Sequence, residues 1–163
     1  MIISKKFLLI FVLYMSVRPG FGQDIEILYK GSFKGELNGK KFENHIRSGA
    51  SGNLFATGNL FTIETSNDDF VLTINWPNIN SIDEIEKQYI KLPAEDNRVI
   101  ISFFERKSDF SFVITGGFLH IYQKDSHGLN GKLEFTALSR FTNDGKNSKV
   151  TLQNGSFRID FRK

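Results

Sequence analysis

The chain has 163 residues, 40% of them hydrophobic, no cysteine and a formal net charge of +3 at pH 7. That length suits one domain, with enough apolar residue content to form a core without covalent staples. The missing cysteines exclude disulfides, a nucleophilic thiol and a lipidated-cysteine anchor.

The first 22 residues read as a cleavable signal peptide. Lys5 and Lys6 precede an apolar run from Phe7 to Met15, and small residues at spacing two, Gly20 and Gly22, follow. A basic start, a short apolar core and a small-residue site form the secretory pattern, with Pro19 stopping the preceding helix. Cleavage is expected between Gly22 and Gln23. The apolar run covers about half of the ~20 residues a spanning helix needs, and no later stretch is long and apolar enough to cross a bilayer. Lys5, Lys6 and Arg18 are the only charged residues before Gln23, so their removal from the 21 basic residues leaves 18 against 18 acidic ones. A neutral mature domain, residues 23–163, carries no basic stripe for nucleic acid. Many Ile, Lys, Asn and Phe beside few Pro suggest a bacterial periplasmic or secreted protein.

Period-two alternation dominates the remainder and predicts strands. Ile25, Ile27 and Tyr29 alternate, then Phe33, Gly35 and Leu37. Asn38-Gly39 separates this run from Phe42–Ile46, and Asn-Gly between alternating runs predicts a tight hairpin with positive φ at both turn residues. Gly49-Ala50-Ser51-Gly52-Asn53 reads as a loop or bulge before a strand around Leu54 to Thr65. A turn at Ser66–Asp69 precedes Phe70, Leu72, Ile74 and Trp76, and Pro77 ends that strand. Ser81 and Glu84 have capping-box spacing, so Ile82–Gln88 is expected to be one short helix, reduced either to a turn of helix or to an irregular lid. Val99–Glu105 is a nearly continuous apolar strand. Phe110, Phe112 and Ile114 alternate, Gly116-Gly117 breaks the run, and Phe118–Gln123 continues to a turn at Asp125–Gly128. Leu133, Phe135 and Ala137 alternate before the polar connection Thr142–Asn147. Val150 and Leu152 lead to an expected bulge or kink at Asn154-Gly155, and Phe157, Ile159 and Phe161 end the pattern. The expected fold is all-β: a single antiparallel β-sandwich or β-barrel of about nine to ten strands with one short helix.

Two segments carry a resemblance. One is Gly35-Glu36-Leu37-Asn38-Gly39-Lys40-Lys41-Phe42. The other runs from Thr115-Gly116-Gly117-Phe118-Leu119-His120-Ile121, through Gly131-Lys132-Leu133-Glu134-Phe135-Thr136-Ala137, to Val150-Thr151-Leu152-Gln153-Asn154-Gly155-Ser156-Phe157. Together they resemble small exported all-β proteins of Bacteroidota-type bacteria, an uncharacterised family, over about half of the mature chain. Many such relatives are lipoproteins, and this chain departs from them in having no cysteine. The resemblance implies a fold class and a compartment, and carries no activity with it.

Catalytic patterns are sparse. His120 lies between Leu119 and Ile121 on the face of Phe118 and Tyr122, and His127 shares a turn with Asp125. These two imidazoles and that carboxylate are the one combination that could approach a metal, but their spacing matches no ligand motif. No Gly-x-Ser-x-Gly elbow, phosphate loop or dinucleotide fingerprint is present. The acidic groups Asp68-Asp69, Asp83-Glu84-Glu86 and Glu95-Asp96 fall in turns or at the expected helix start, where solvation and the helix dipole account for them. No catalytic residue, metal ligand or cofactor is therefore assigned. Trp76, the single tryptophan, either plugs the core or lines a pocket mouth with Tyr89 and Tyr122. Trp76, Tyr89, His120 and Tyr122 are the candidate ligand-binding residues.

Three functions remain open at this stage. One is a non-catalytic binding or interaction module of the cell envelope, partnered by an envelope protein. The second is a calycin-like barrel carrying a small apolar ligand under a lid near Ile79–Leu92. The third is a carbohydrate-directed enzyme.

Overall fold

Alternating apolar side chains need a second surface to cover them, and here the sheet supplies it by curling onto itself. In a computed structural model, the described residues are 29–52, 59–96, 98–107, 110–139 and 148–161. They form β1 (Tyr29–Leu37), β2 (Lys40–Gly52), β3 (Asn59–Ser66), β4 (Phe70–Pro77), β5 (Gln88–Leu92), β6 (Ile100–Glu105), β7 (Phe110–Asp125), β8 (Gly128–Ser139) and β9 (Lys149–Asp160). The expected signal segment, Ile25 and Ile27, Asn53 to Gly58, and the connection Thr142–Asn147 lie outside the described residues.

Every pairing is antiparallel. The order β7-β6-β4-β3-β2-β1-β9-β8, with β8 returning to β7, closes an eight-stranded barrel. Neighbours in the ring follow one another in the chain once β5 is set aside, so the barrel is of the up-and-down kind. Closure leaves no row of unpaired backbone groups around the ring.

The position of β5 follows from counting edges. A strand has two, and β8 occupies one edge of β7 from Phe112 to Asp125. Both β6, opposite Phe110–Phe112, and β5, opposite Gly117–Ile121, must use the other. β5 therefore takes over along β7 where β6 leaves off. The register shift between Ile114 and Gly116 marks the changeover. Gly116-Gly117, expected to break the run, instead sits inside one long bulged strand, where Gly117 has a φ of 134°. Likewise, Gly49–Gly52, expected as a loop or bulge, continues β2.

The barrel interior is packed with aromatic rings. Phe157 stacks on Phe33 (5.9 Å between centroids), Phe33 on Phe42 (5.8 Å), and Phe42 meets Phe70 edge-on (5.1 Å). Phe70 continues to Phe103 (5.7 Å), which touches both Phe112 and Phe135. β4 shows how the sequence produces this: Phe70, Leu72, Ile74 and Trp76 are buried while Val71, Thr73 and Asn75 are only half-buried. Each such side chain contributes about 1.5–3 kcal/mol on burial. Eight strands enclose just enough space for side chains to fill.

The segment between β4 and β5 covers the barrel beside the end of β7. It contains a single 3-10 turn, Ile82–Glu84, and Gln88 opens a strand. The Ser81 hydroxyl accepts the Asp83 N–H (3.3 Å), and the Glu84 carboxylate accepts the N–H groups of Asn80 and Ser81 (3.0 Å each). Ile82 and Ile85 are fully buried, and Lys124 donates to the Asp83 carbonyl, which ties the segment to β7. A β-branched pair inserted into the core holds this cover in place.

Candidate functional site

The alternation of β7 decides where its polar and aromatic residues go. Leu119 and Ile121 are 0% and 1% exposed, so Phe118, His120 and Tyr122 stand on the outer wall of the barrel. β5 adds Tyr89 on the same wall, directly opposite His120. Ile90 and Leu92 on β5 point the other way and are buried. The four rings touch one another. Tyr89 and Phe118 stack at 5.4 Å with planes 18° apart. His120 meets Tyr89 edge-on at 5.7 Å and Tyr122 edge-on at 5.8 Å.

Three of the four expected ligand-binding residues, Tyr89, His120 and Tyr122, are thus brought together, and Phe118 joins them. Trp76 is not among them. It lies in the barrel interior, 1% exposed, with its ring 6.5 Å from Phe61. Its indole N–H has no hydrogen-bond partner, and the side-chain amide nitrogen of Asn44 on β2 shares that condition. Phe118 shares the face of His120 and Tyr122 in the sequence but is not named among the ligand-binding candidates. Its parity with His120, against buried Leu119, is the signal that could have found it.

The outer stripe is notable for its exposure. Among the described residues, the large hydrophobic side chains left exposed are Tyr89 (63%), Ile100 (45%) and Tyr122 (44%). Two of those three belong to the stripe. Polar groups border the rings on both sides. Lys91 on β5 and Glu134 on β8 flank Phe118, while Lys132 on β8 stands opposite His120. One Glu134 oxygen accepts the Asn154 N–H (3.3 Å), where the β9 backbone bulges with a φ of 53°. That bond draws the Glu134 carboxylate toward β9, on the other side of β8 from the rings.

The turn joining β7 to β8 has its own order. Asp125 accepts the backbone N–H of His127 (2.8 Å) and the side-chain amide of Gln123 (2.9 Å), and these bonds hold its carboxyl below the ordinary range. The His127 ring nitrogen is 3.6 Å from Asp125. His120, by contrast, is engaged with the two tyrosines. Among the described residues there is no group of three or more His, Asp or Glu arranged to hold a metal.

A second concavity, a shallow groove of about 430 Å³, lies across β1, β2 and the β9 bulge. Phe42 contributes its apolar surface, and Lys34, Glu36, Lys41 and Glu43 surround it. Those charges are matched by register, Lys34 opposite Glu43 and Glu36 opposite Lys41. The groove therefore offers a counter-charged surface and no unbalanced field.

An up-and-down barrel with a row of contacting rings on its outer wall defines the class of molecule. Comparison with protein-family models, curated proteins and solved structures returns no match for the chain. Among the described residues, no helix is long and apolar enough to cross a membrane.

Proposed function

We propose that this protein is a non-catalytic binding module of a bacterial cell envelope, exported by its first 22 residues, with the stripe of Tyr89, Phe118, His120 and Tyr122 as its recognition surface. The observation that carries the reading is the chain of contacts among four rings on the outside of a barrel that already has a full aromatic interior. Isolated exposed apolar side chains are ordinary on soluble proteins, whereas a contiguous contacting set marks an interaction site. Tyrosine suits such a surface, because it offers apolar area, a polar tip and only two rotatable bonds. The resemblance to small exported all-β proteins of Bacteroidota-type bacteria and the signal-like start support a periplasmic or secreted location.

The test is co-sedimentation of the purified protein with envelope fractions of a Bacteroidota species. Wild-type protein should sediment with the envelope, and a Tyr89→Ser/Tyr122→Ser double variant with an unchanged circular dichroism spectrum should stay in the supernatant. Equal sedimentation of the two proteins would refute the surface.

A second reading has one observation in its favour. The Trp76 N–H is buried without a hydrogen-bond partner in a barrel of eight strands, the size that carries small ligands in calycin-like proteins. A bound apolar molecule bearing one acceptor would satisfy that donor. The filled interior weighs against it. Native mass spectrometry of protein isolated gently from its own envelope separates the two: a reproducible extra mass of small-molecule size favours the carrier.

A further inference from the structure

We infer that the ligand of the outer stripe is a neutral glycan chain, an inference that rests on the binding-surface reading above. Its premise is the pattern of side chains across the strands rather than the rings alone. Each row across β5, β7 and β8 sets a ring between or beside hydrogen-bonding groups: Lys91–Phe118–Glu134 in one, Tyr89–His120–Lys132 in the next. A sugar ring has the complementary build, an apolar face of C–H groups bordered by hydroxyls. It needs a ring to lie against, with donors and acceptors both within reach at its edge.

Charge narrows the class. The rim carries two cations, Lys91 and Lys132, and one carboxylate, Glu134. A polyanion, whether nucleic acid or an anionic lipid surface, is bound by clustered positive charge, and the Glu134 carboxylate in the row of Phe118 opposes it. A protein interface places its aromatic anchors in a core depleted of charge, whereas here charged residues adjoin the rings in both rows. A neutral polyhydroxylated chain uses all of these groups at once. The length also fits a chain: Phe118 to Tyr122 covers about 13 Å of strand at ~3.3 Å per residue, more than one sugar ring.

The strand arrangement explains how the surface was assembled. Phe118, His120 and Tyr122 alone would make a single file along β7. β5, lying outside the closed ring, places Tyr89 and Lys91 beside that file and widens it. An extra strand that the barrel does not need for closure is accounted for by this contribution.

The test is a ¹⁵N–¹H NMR titration of protein produced from the full-length chain with β-1,4-linked hexasaccharides of glucose, xylose and N-acetylglucosamine at millimolar concentration. Shift changes confined to residues 88–91, 118–122 and 132–134, with at least tenfold weaker binding in Tyr89→Ala and retained binding in Tyr89→Phe, are expected. Should Tyr89→Ala fold poorly, Tyr122→Ser carries the same expectation. No shift changes with any of the three sugars, or changes centred on the Phe42 groove, overturn the glycan assignment. If envelope binding still depends on Tyr89 and Tyr122 but is lost on protease treatment of the envelope, or is competed by phosphatidylglycerol vesicles, the ligand is a protein or a lipid. The surface reading then survives and the glycan inference does not.

Discussion

Phe157 lies over Gly131: a β-carbon built on Gly131 would stand 2.2 Å from the ring carbon Cζ of Phe157. The two residues are directly paired between β8 and β9, and Phe157 in turn stacks on Phe33 of β1. One missing side chain thus makes room for a ring that bridges three strands. Gly131→Ala should destabilise the protein by about 1–3 kcal/mol, the usual cost of overpacking a filled core. Combining it with Phe157→Leu should recover part of that loss, because the two changes share one volume. Urea denaturation of the single and double variants checks both statements.

Asn38 and Asn154 show two different uses of the left-handed region. Asn38 and Gly39 have φ values of 49° and 79° in the turn between β1 and β2. Asn38 also donates its N–H to the Thr151 carbonyl and accepts the Thr151 N–H on its side chain (2.9 Å each). The hairpin is thereby fastened to β9. Asn38→Gly keeps the backbone conformation and loses the side-chain bond, so it should cost about 1 kcal/mol. Asn38→Ala should cost more, since alanine pays for the positive φ as well. Thermal melts of the two variants give the order directly.

Trp76 carries an unpaired donor into the core, and its removal separates two contributions. Trp76→Phe removes the orphaned N–H along with some volume, and the relief of the first offsets the loss of the second. It should cost less than about 2 kcal/mol, whereas Trp76→Ala should cost about 3–5 kcal/mol through the cavity it leaves. If Trp76→Phe proves as damaging as the alanine, the N–H has a partner in solution, and Nε1–H hydrogen exchange would show it.

Asp69 offers a test of pH dependence. The side-chain hydrogen bond and the charge of Lys107 (2.5 Å) hold its carboxyl below its ordinary value of 3.8. Such a group contributes stability that is present above its unfolded value and is lost as the pH falls through its folded value. Both partners are well exposed, so solvent screens the effect and the contribution is small. Carboxyl ¹³C titration should place the Asp69 midpoint below 3.8, and Lys107→Ala should move it upward. The global stability should barely change between the two proteins near neutral pH.

Much of this architecture was legible in the sequence because alternation reports burial directly. Phe70 to Trp76 read as a strand with one buried face and folds as one. Asn38-Gly39 read as a hairpin from turn chemistry alone. Asn154-Gly155 read as a bulge or kink, and the registers with β1 and β8 both slip there. What alternation does not report is which strands meet at long range, so barrel and sandwich stayed undivided. Closure rests on β1 finding β9, and these strands lie more than 110 residues apart in the chain. The segment Ile82–Gln88 was harder for a local reason. Its capping box is real, but Ile85 turns inward as a core plug after three helical residues, and packing overrides the helical spacing. Of the candidate site, Tyr89 and Tyr122 were named as companions of Trp76 at a pocket mouth and His120 as sharing the face of Phe118 and Tyr122; the meeting of Tyr89 with His120 away from Trp76 depends on the β5–β7 pairing, which no local pattern encodes.

The seam between β1 and β9 has a consequence for how the protein must be made. No shorter chain holds a finished ring, because the first described strand waits for the last. A ribosome-bound chain ending before β9 would expose two open strand edges, on β1 and on β8, each able to recruit a neighbour. Truncation before Lys149 should therefore yield sticky, self-associating material in place of a smaller barrel. A circularly permuted chain that opens at Asn38-Gly39 and fuses the two sides of the seam would form β9–β1 as a local hairpin and move the long-range closure to β1–β2, so it should fold at a rate close to that of the native order.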